Sequence, residues 1–302
     1  MAGDAKAIQP VAAGDKVLVL GASGMAGKAI VDMGKSLGYD IVGASRKGPD
    51  IEVDVEDEAD LVGKIREIEP RLIINTVADV SVARCEADPG RSWRVNARPA
   101  AFLAELSKEL RCKFLHVSTD HYFSGDGRCK HAEDHPVTLL NEYARTKFAA
   151  EALALSAPGA VVIRTNIVGF RPEIGGTFAE WCLDVIRNDK EATLFDDQFV
   201  SSIDIWNFAD CVWKLAVSGF SGVINVASRD VFSKAEFALR LAKAEGRTLT
   251  RAKIGSVGQQ GTRRPDSLGL DTSLAESVTG REMPSLDEVV QAIHRYPAGQ
   301  DF

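Results

Sequence analysis

The chain has 302 residues, of which 45% are hydrophobic and 26% charged, and its formal net charge is −7. That is ordinary globular usage, and it excludes a disordered chain, a fibrous repeat and a disulfide scaffold. The acidic balance lacks the footprint of a nucleic-acid binder and matches an anionic membrane surface poorly. Cys85, Cys112, Cys129, Cys182 and Cys211 have no metal-type spacing. They read as free thiols in a reducing cytoplasm. No apolar run approaches the ~18 residues a membrane span needs. Residues 1–14 lack the apolar core of a secretory signal and read as a loose tail.

The first half alternates short β-branched runs with helical patterns. Lys16–Leu20 (KVLVL) is a continuous apolar run, as a strand buried on both faces requires. A helix follows over Met25–Leu37, then strands at Asp40–Ala44 and Ile51–Asp54. Glu58–Ile68 is helical, with Pro70 just past its end. Leu72–Asn75 is a strand, Arg91–Leu110 a long helix broken on paper by Pro99, and Lys113–Val117 a strand. Tyr143–Leu155 is helical and Ala160–Thr165 extended. Strands alternating with helices of this length predict an α/β fold, a doubly wound parallel sheet with ligands at the carboxyl ends of its strands. After Thr165 the rhythm loosens. Helices are expected at Phe178–Asn188, Phe208–Val217, Ser233–Ala244 and Leu286–Ile293, and a further strand at Gly222–Ala227. Residues 15–168 with about 203–228 are expected to form a cofactor-binding Rossmann domain. Residues 169–202 and 229–302 are expected to form a smaller, partly interleaved substrate lobe.

The first strand runs into Gly21-Ala-Ser-Gly24-Met-Ala-Gly27 and then a helix. Glycines there permit a tight turn, close approach of a pyrophosphate, and packing of helix on strand. The helix N-terminus adds free N–H groups and the positive dipole end. The second strand ends Ala44-Ser45-Arg46-Lys47. An acidic residue there would suit the ribose 2′-hydroxyl of NAD, whereas two cations and a hydroxyl suit a 2′-phosphate. NADP(H) is therefore favoured, with NAD(H) as the alternative.

Ser118-Thr119-Asp120 follows the fifth strand, and Tyr143-Ala-Arg-Thr-Lys147 opens the next helix. Y-x-x-x-K puts Tyr143 and Lys147 one turn apart on one face. An ammonium there favours phenolate, so it should lower the Tyr143 pKa and let the hydroxyl exchange a proton near neutral pH. Thr119 can hydrogen-bond the same carbonyl oxygen.

The G-x-x-G-x-x-G spacing with Y-x-x-x-K resembles the extended short-chain dehydrogenases/reductases. Leu72–Glu86 (LIINTVADVSVARCE), Val95-Asn96-Ala97, Phe114–Phe123 (FLHVSTDHYF), Tyr143–Lys147, Asp197-Gln198 and Arg264-Pro265…Leu270–Ser273 sharpen the likeness. From Lys16 to about Ile293 the chain resembles the dTDP-4-dehydrorhamnose reductase family. The resemblance implies NAD(P)H-dependent reduction of a 4-keto group on a nucleotide-linked deoxysugar. Tyr143 would be the proton donor, Thr119 would orient the ketone, and Lys147 would hold the nicotinamide ribose. Gly21, Ser23, Gly24, Met25, Ala26, Gly27, Ser45, Arg46, Lys47, Asp54, Val55, Asn75, Val77 and Asn96 would line the cofactor, Asp54 at the adenine amine. Asp79, Ser118, Asp120, His121 and Arg264 would meet the sugar nucleotide. Arg263 and Arg264 could grip a diphosphate. A homodimer is left open.

The chain departs from the family pattern at Asp79-Val80-Ser81, His121, Ala144-Arg145 and Ser202, which points to a different sugar. A metal-binding carboxylate of some members falls at Ala29, so no metal is expected there. The five histidines show no zinc spacing. His116 reads as a core residue, Trp181, Trp206 and Trp213 as core or pocket wall, and Glu133 and Asp134 as a solvated loop. Two other readings stand beside the reductase. One is an epimerase or dehydratase of the same superfamily. The other is a non-catalytic NADP-binding subunit resembling the β-subunit of methionine adenosyltransferase.

Overall fold

The computed structural model of the chain describes residues 10–171, 175–259 and 264–295. Its central sheet holds β1 (Lys16–Leu20), β2 (Asp40–Ser45), β3 (Ile51–Glu52), β4 (Leu72–Asn75), β5 (Lys113–Val117) and β6 (Val161–Arg164), with Gly222–Asn225 as the far edge strand. The order is β3-β2-β1-β4-β5-β6 and then that edge strand, and every pairing is parallel. The order reverses between β1 and β4, so a crevice opens at the carboxyl ends of these two strands.

KVLVL shows why such strands are apolar throughout. Val17 and Val19 pack with Ile30 of α1 (Met25–Ser36) and with Phe208 and Val212 of α8 (Ile205–Val217). Leu18 and Leu20 face the opposite layer, α2 (Glu58–Ile68), α5 (Arg98–Leu110) and α6 (Glu142–Ala154), through Leu61, Leu103 and Ala150. Local chemistry sets the helix ends. Asp57 accepts from the Asp60 N–H to start α2, and Asn141 accepts from the Ala144 N–H to start α6.

A second hydrophobic core joins α7 (Phe178–Asn188), α9 (Lys234–Ala244) and the last described helix (Leu286–Arg295) through Leu183, Phe237 and Val289. Short strand pairs stitch it together. Phe199–Val200 pairs with both Phe232–Ser233 and Ser267–Leu268, and Ala192–Phe195 pairs with Ala252–Gly255.

Several expectations need correcting. Residues 10–14 are not a loose tail: Val11 is buried in the core, and the Gly14 N–H bonds the Gly38 carbonyl at 3.0 Å. The third strand stops at Glu52. The helix expected over Arg91–Leu110 is preceded by α3 (Val82–Ala87) and is itself split. α4 (Pro89–Ser92) passes into a π-helical turn at Trp93–Ala97 before α5 begins. Pro99 has no N–H for the Val95 carbonyl and its ring crowds that oxygen, so the α-helical ladder cannot run through. Glu133 is half-buried, with its carboxylate accepting from the Asn225 N–H at 2.9 Å.

Candidate active site

The glycine loop has the geometry that its spacing predicts. Gly21 takes φ +84°, and a Cβ there would lie 2.4 Å from Thr76 Oγ1. A Cβ on Gly27 would lie 2.1 Å from the Gly21 carbonyl oxygen, so α1 can rest on the turn only if that position is bare. Gly24 caps α1 without a side chain, and no acidic residue occupies the first turn. The first N–H groups and the positive dipole end are thus left for an anion. At the end of β2 the Ser45 Oγ is buried without a partner, and Arg46 and Lys47 extend beyond it into solvent. An orphaned hydroxyl beside two cations fits a phosphate, so the residues present suit a dinucleotide carrying a 2′-phosphate. Ser23 is exposed on the loop, and Met25 and Ala26 are half-buried at the start of α1. Asp54 is exposed and Val55 is buried behind it; Val77 is half-buried after β4. Asn75 is buried, contacting His116 Nδ1 through its Nδ2 at 3.1 Å and accepting from the Val77 N–H through Oδ1. It shapes the strand end and presents little of its amide to the crevice.

The ends of β1, β4 and β5 lie in register, Leu20 beside Asn75 and Asn75 beside His116. Thr119 therefore emerges beside the end of β4, one strand away from the glycine turn, and α6 brings Tyr143 and Lys147 to the same strand ends. Tyr143 is 7% exposed, with the Thr119 side chain beside its hydroxyl. Burial raises the Tyr143 pKa, with the Asp120 carboxylate adding to it. This corrects the expected lowering by Lys147. The Lys147 ammonium is buried, donates to the Val117 carbonyl at 2.7 Å, and lies 3.5 Å from His116 Nε2. Burial brings Lys147 down to about 8. His116 is fully buried, as its strand pattern predicts, and serves as a floor under this lysine.

Three expected contacts are redirected inward. Ser118 donates to Glu151 at 2.6 Å and meets the Tyr122 hydroxyl at 3.0 Å, so its hydroxyl does not face a sugar. Strand parity explains this, because Ser118 and Thr119 point to opposite sides. The Asp79 carboxylate is gripped by Arg84 and Arg91, each at 2.7 Å, and by the Ser81 N–H. It is neutralised there and has no charge to offer a ligand. Asn96 sits in the π-helical turn and clasps the Asp79 backbone, accepting from its N–H at 2.7 Å and donating to its carbonyl at 3.1 Å. It braces the loop and does not face a cofactor.

Asp120 and His121 remain at the centre. Asp120 is buried and accepts from Asn166 at 2.7 Å; burial lifts its carboxyl to about 7 against the pull of Asn166 and Lys234. The His121 ring meets the Tyr143 ring edge-on, 5.3 Å between centroids. Burial, with Arg264 and Lys234 nearby, drops His121 to about 4, so the imidazole is neutral at pH 7. Its Nδ1 is buried without a partner. A cavity of about 470 Å³ opens nearby, bounded by Phe178, Trp181, Gln198, Lys234 and Arg264. Arg263 lies outside the described residues. Trp213 is core, donating to the Ile30 carbonyl, whereas Trp181 is pocket wall.

The chain matches the family described as RmlD substrate binding domain over residues 15–296. It belongs to that family. A probable low-salt glycan biosynthesis reductase, Agl14, of Haloferax volcanii is 26% identical over 288 residues, covering 91% of this chain and 96% of that protein. The dTDP-4-dehydrorhamnose reductase of Escherichia coli is 24% identical, covering 85% and 89%. In structure, the dTDP-4-dehydrorhamnose reductase of Bacillus anthracis in complex with NADP superposes with a TM-score of 0.83 at 22% identity, covering 93% and 98%.

In this RmlD-family chain, Lys234 is the pocket residue that the sequence reading missed. It appears there only inside the Ser233–Glu236 capping box. The box forms, and α9 starts at Lys234, whose ammonium lies 4.1 Å from the Phe178 ring centroid and attracts Asp120. A signal was present: a lysine at the first position of a helix opposes the dipole, so such a cation usually answers to something else. Among the described residues no helix is long and apolar enough to cross a membrane.

Proposed function

We propose that this protein reduces a 4-keto group on a nucleotide-linked deoxysugar, with NADPH as the hydride donor. It is an NAD(P)H-dependent oxidoreductase of the RmlD type. The observation that carries the reading is Tyr143, buried at the strand ends beside Thr119 and one helical turn from Lys147.

The Gly21–Gly27 turn and the α1 N-terminus would hold the pyrophosphate; Ser45, Arg46 and Lys47 would hold the 2′-phosphate. Bound NADPH supplies the hydride. Tyr143 donates the proton to the ketone oxygen. Its raised pKa keeps that proton in place at rest, as a general acid requires, and the developing alkoxide is more basic than a phenolate. Thr119 would donate its hydroxyl proton to the incoming oxygen beside Tyr143, orienting the ketone for the proton transfer. Lys147, tethered by the Val117 carbonyl, presents its remaining N–H groups to the nicotinamide ribose. Arg264 and Lys234 set two cations at the cavity wall, where a nucleoside diphosphate would be recognised. The names of the relatives support a sugar substrate made for a glycan.

The test is NADPH consumption by the purified protein across a panel of 4-keto nucleotide sugars. Turnover of at least one member is expected. If NADPH binds and no member is reduced, the reading fails.

A further inference from the structure

The loop between β5 and α6 carries a second cluster that the reductase chemistry does not use. Asp126, His131 and His135 each present a ligand atom, and these atoms all lie within 4.8 Å of one another. His131 is 1% exposed, whereas Asp126 and His135 face solvent.

The bonding of His131 is informative. Its Nδ1 lies 2.6 Å from the Gly269 carbonyl oxygen, and its Nε2 lies 2.9 Å from Asp126 Oδ2. Both neighbours are acceptors. A neutral imidazole has one N–H. Given to Gly269, it leaves an Nε2 lone pair 2.9 Å from a carboxylate oxygen, an arrangement that a shared cation would reconcile. A backbone carbonyl on the distal ring nitrogen is also the usual way a metal-bound histidine is oriented. A proton on Nε2 would satisfy Asp126 alone, but a third donor is present. The His135 ring lies 4.7 Å from that of His131, inclined at 76°.

The scaffold under the cluster is fixed. Phe123 stacks on His131 at 4.0 Å, the Gly127 N–H donates to Ser267 Oγ at 2.8 Å, and the His131 backbone pairs with Gly269 and Asp271. Two imidazoles and one carboxylate, with room for water as a fourth ligand, is a zinc-type donor set. Bonds of ~2.0–2.1 Å place tetrahedral donors ~3.3–3.4 Å apart. The Nε2–Oδ2 separation therefore needs to open by a few tenths of an ångström, which the exposed Asp126 side chain can accommodate.

We propose that Asp126, His131 and His135 bind one divalent transition-metal ion, Zn²⁺ by donor type. The ion would tie together the two arms of the loop that follows Thr119-Asp120-His121, which already rests on Ser267 and Gly269, without entering the hydride-transfer chemistry.

The test uses the full chain without an affinity tag, carrying Cys129→Ala so that the exposed thiol nearby cannot ligate. The protein is stripped with a chelator and titrated with Zn²⁺ and, separately, Co²⁺. One equivalent of Zn²⁺ should bind and raise the thermal midpoint, and Co²⁺ should give the visible absorption of a tetrahedral nitrogen–oxygen site. Asp126→Ala and His135→Ala, both at exposed positions, should keep the wild-type circular dichroism. Each should weaken Zn²⁺ at least ~10–100-fold, the range for losing merely an outer partner. Absence of binding, or affinity retained in either variant, would overturn the proposal.

Discussion

Tyr143 and Lys147 are one turn apart, yet the structure gives them different electrostatic problems. Tyr143 is buried against Val82 and Cys85 and holds its proton tightly. Replacing it with Phe keeps the ring and its edge contact with His121 while deleting the proton. Tyr143→Phe is expected to lose ~10²–10⁴-fold in kcat, the usual worth of general acid catalysis, with the NADPH Kd within a few-fold of wild type. An unchanged kcat would remove Tyr143 from the acid role. Lys147 is instead an ammonium at neutral pH that titrates just above it. Burial has brought it to about 8, so its ammonium is complete below that value and is lost as pH rises through it. NADPH affinity should therefore fall between about pH 7 and pH 9, in calorimetric titrations at constant ionic strength. Lys147→Arg keeps its charge throughout and should flatten the profile. A wild-type Kd that is level across the range would show that the ammonium does not contact the cofactor.

At the scale of elements, the strand ends of the sheet are joined to α6 by a buried network. Arg164 of β6 and Glu151 of α6 are 4% and 3% exposed and pair at 2.8 Å; Ser118 donates to the same carboxylate, and Arg164 also donates to the Glu133 carbonyl. Removing one partner of such a pair leaves an uncompensated buried charge and costs ~3–5 kcal/mol. Arg164→Met should lower the denaturation midpoint accordingly. The double variant Arg164→Met with Glu151→Gln should recover part of that loss, because no charge is then stranded. If the double variant is less stable than the single by the full cost of the second substitution, the pair is not coupled. This network also marks where sequence reading stops. The α/β alternation, the glycine turn and the Tyr143–Lys147 spacing were legible because each follows from residues a few positions apart. The partners of Ser118 and Glu133 were not. Ser118 bonds Glu151 and Glu133 accepts from Asn225, 33 and 92 positions away, and only the packed sheet decides which side of a strand end is interior. The π-helical turn at Trp93–Ala97 follows from Pro99, but the sequence does not say whether a proline kinks, ends or re-registers a helix.

At the scale of the molecule, the candidate site has two ends, one at the strand ends of the sheet and one at the cavity beside the second core. The sheet core presents Thr119, Tyr143 and Lys147, and the second core presents Lys234 through α9. The cofactor end is the better determined. Arg46 stands beyond the orphaned Ser45 hydroxyl, so Arg46→Asp should turn the preference from NADPH toward NADH. Equal Kd values for the two in the wild type would count against a 2′-phosphate site. The sugar end depends on the remaining departures from the family pattern. Asp79 no longer supports a particular sugar, because Arg84 and Arg91 neutralise it. His121 does: it is neutral, lies edge-on to Tyr143, and has a buried Nδ1 with no partner in the chain. A buried polar atom in a catalytic pocket gains most from a substrate that bonds it, and a site built to bond one hydroxyl rejects analogues lacking it by as much as ~10⁴–10⁵-fold. The best substrate should thus place a hydroxyl or amine against His121. dTDP-4-dehydrorhamnose should be at least ~10-fold poorer, about 1.4 kcal/mol in transition-state terms. The measurement is kcat/KM for 4-keto nucleotide sugars differing at C2, C3 and C6, with wild type and His121→Phe side by side. The variant should lose activity on the best substrate and change little on dehydrorhamnose, narrowing the ratio between them. Dehydrorhamnose as the best substrate of the panel, or an unchanged ratio in the variant, would show that His121 does not read the sugar.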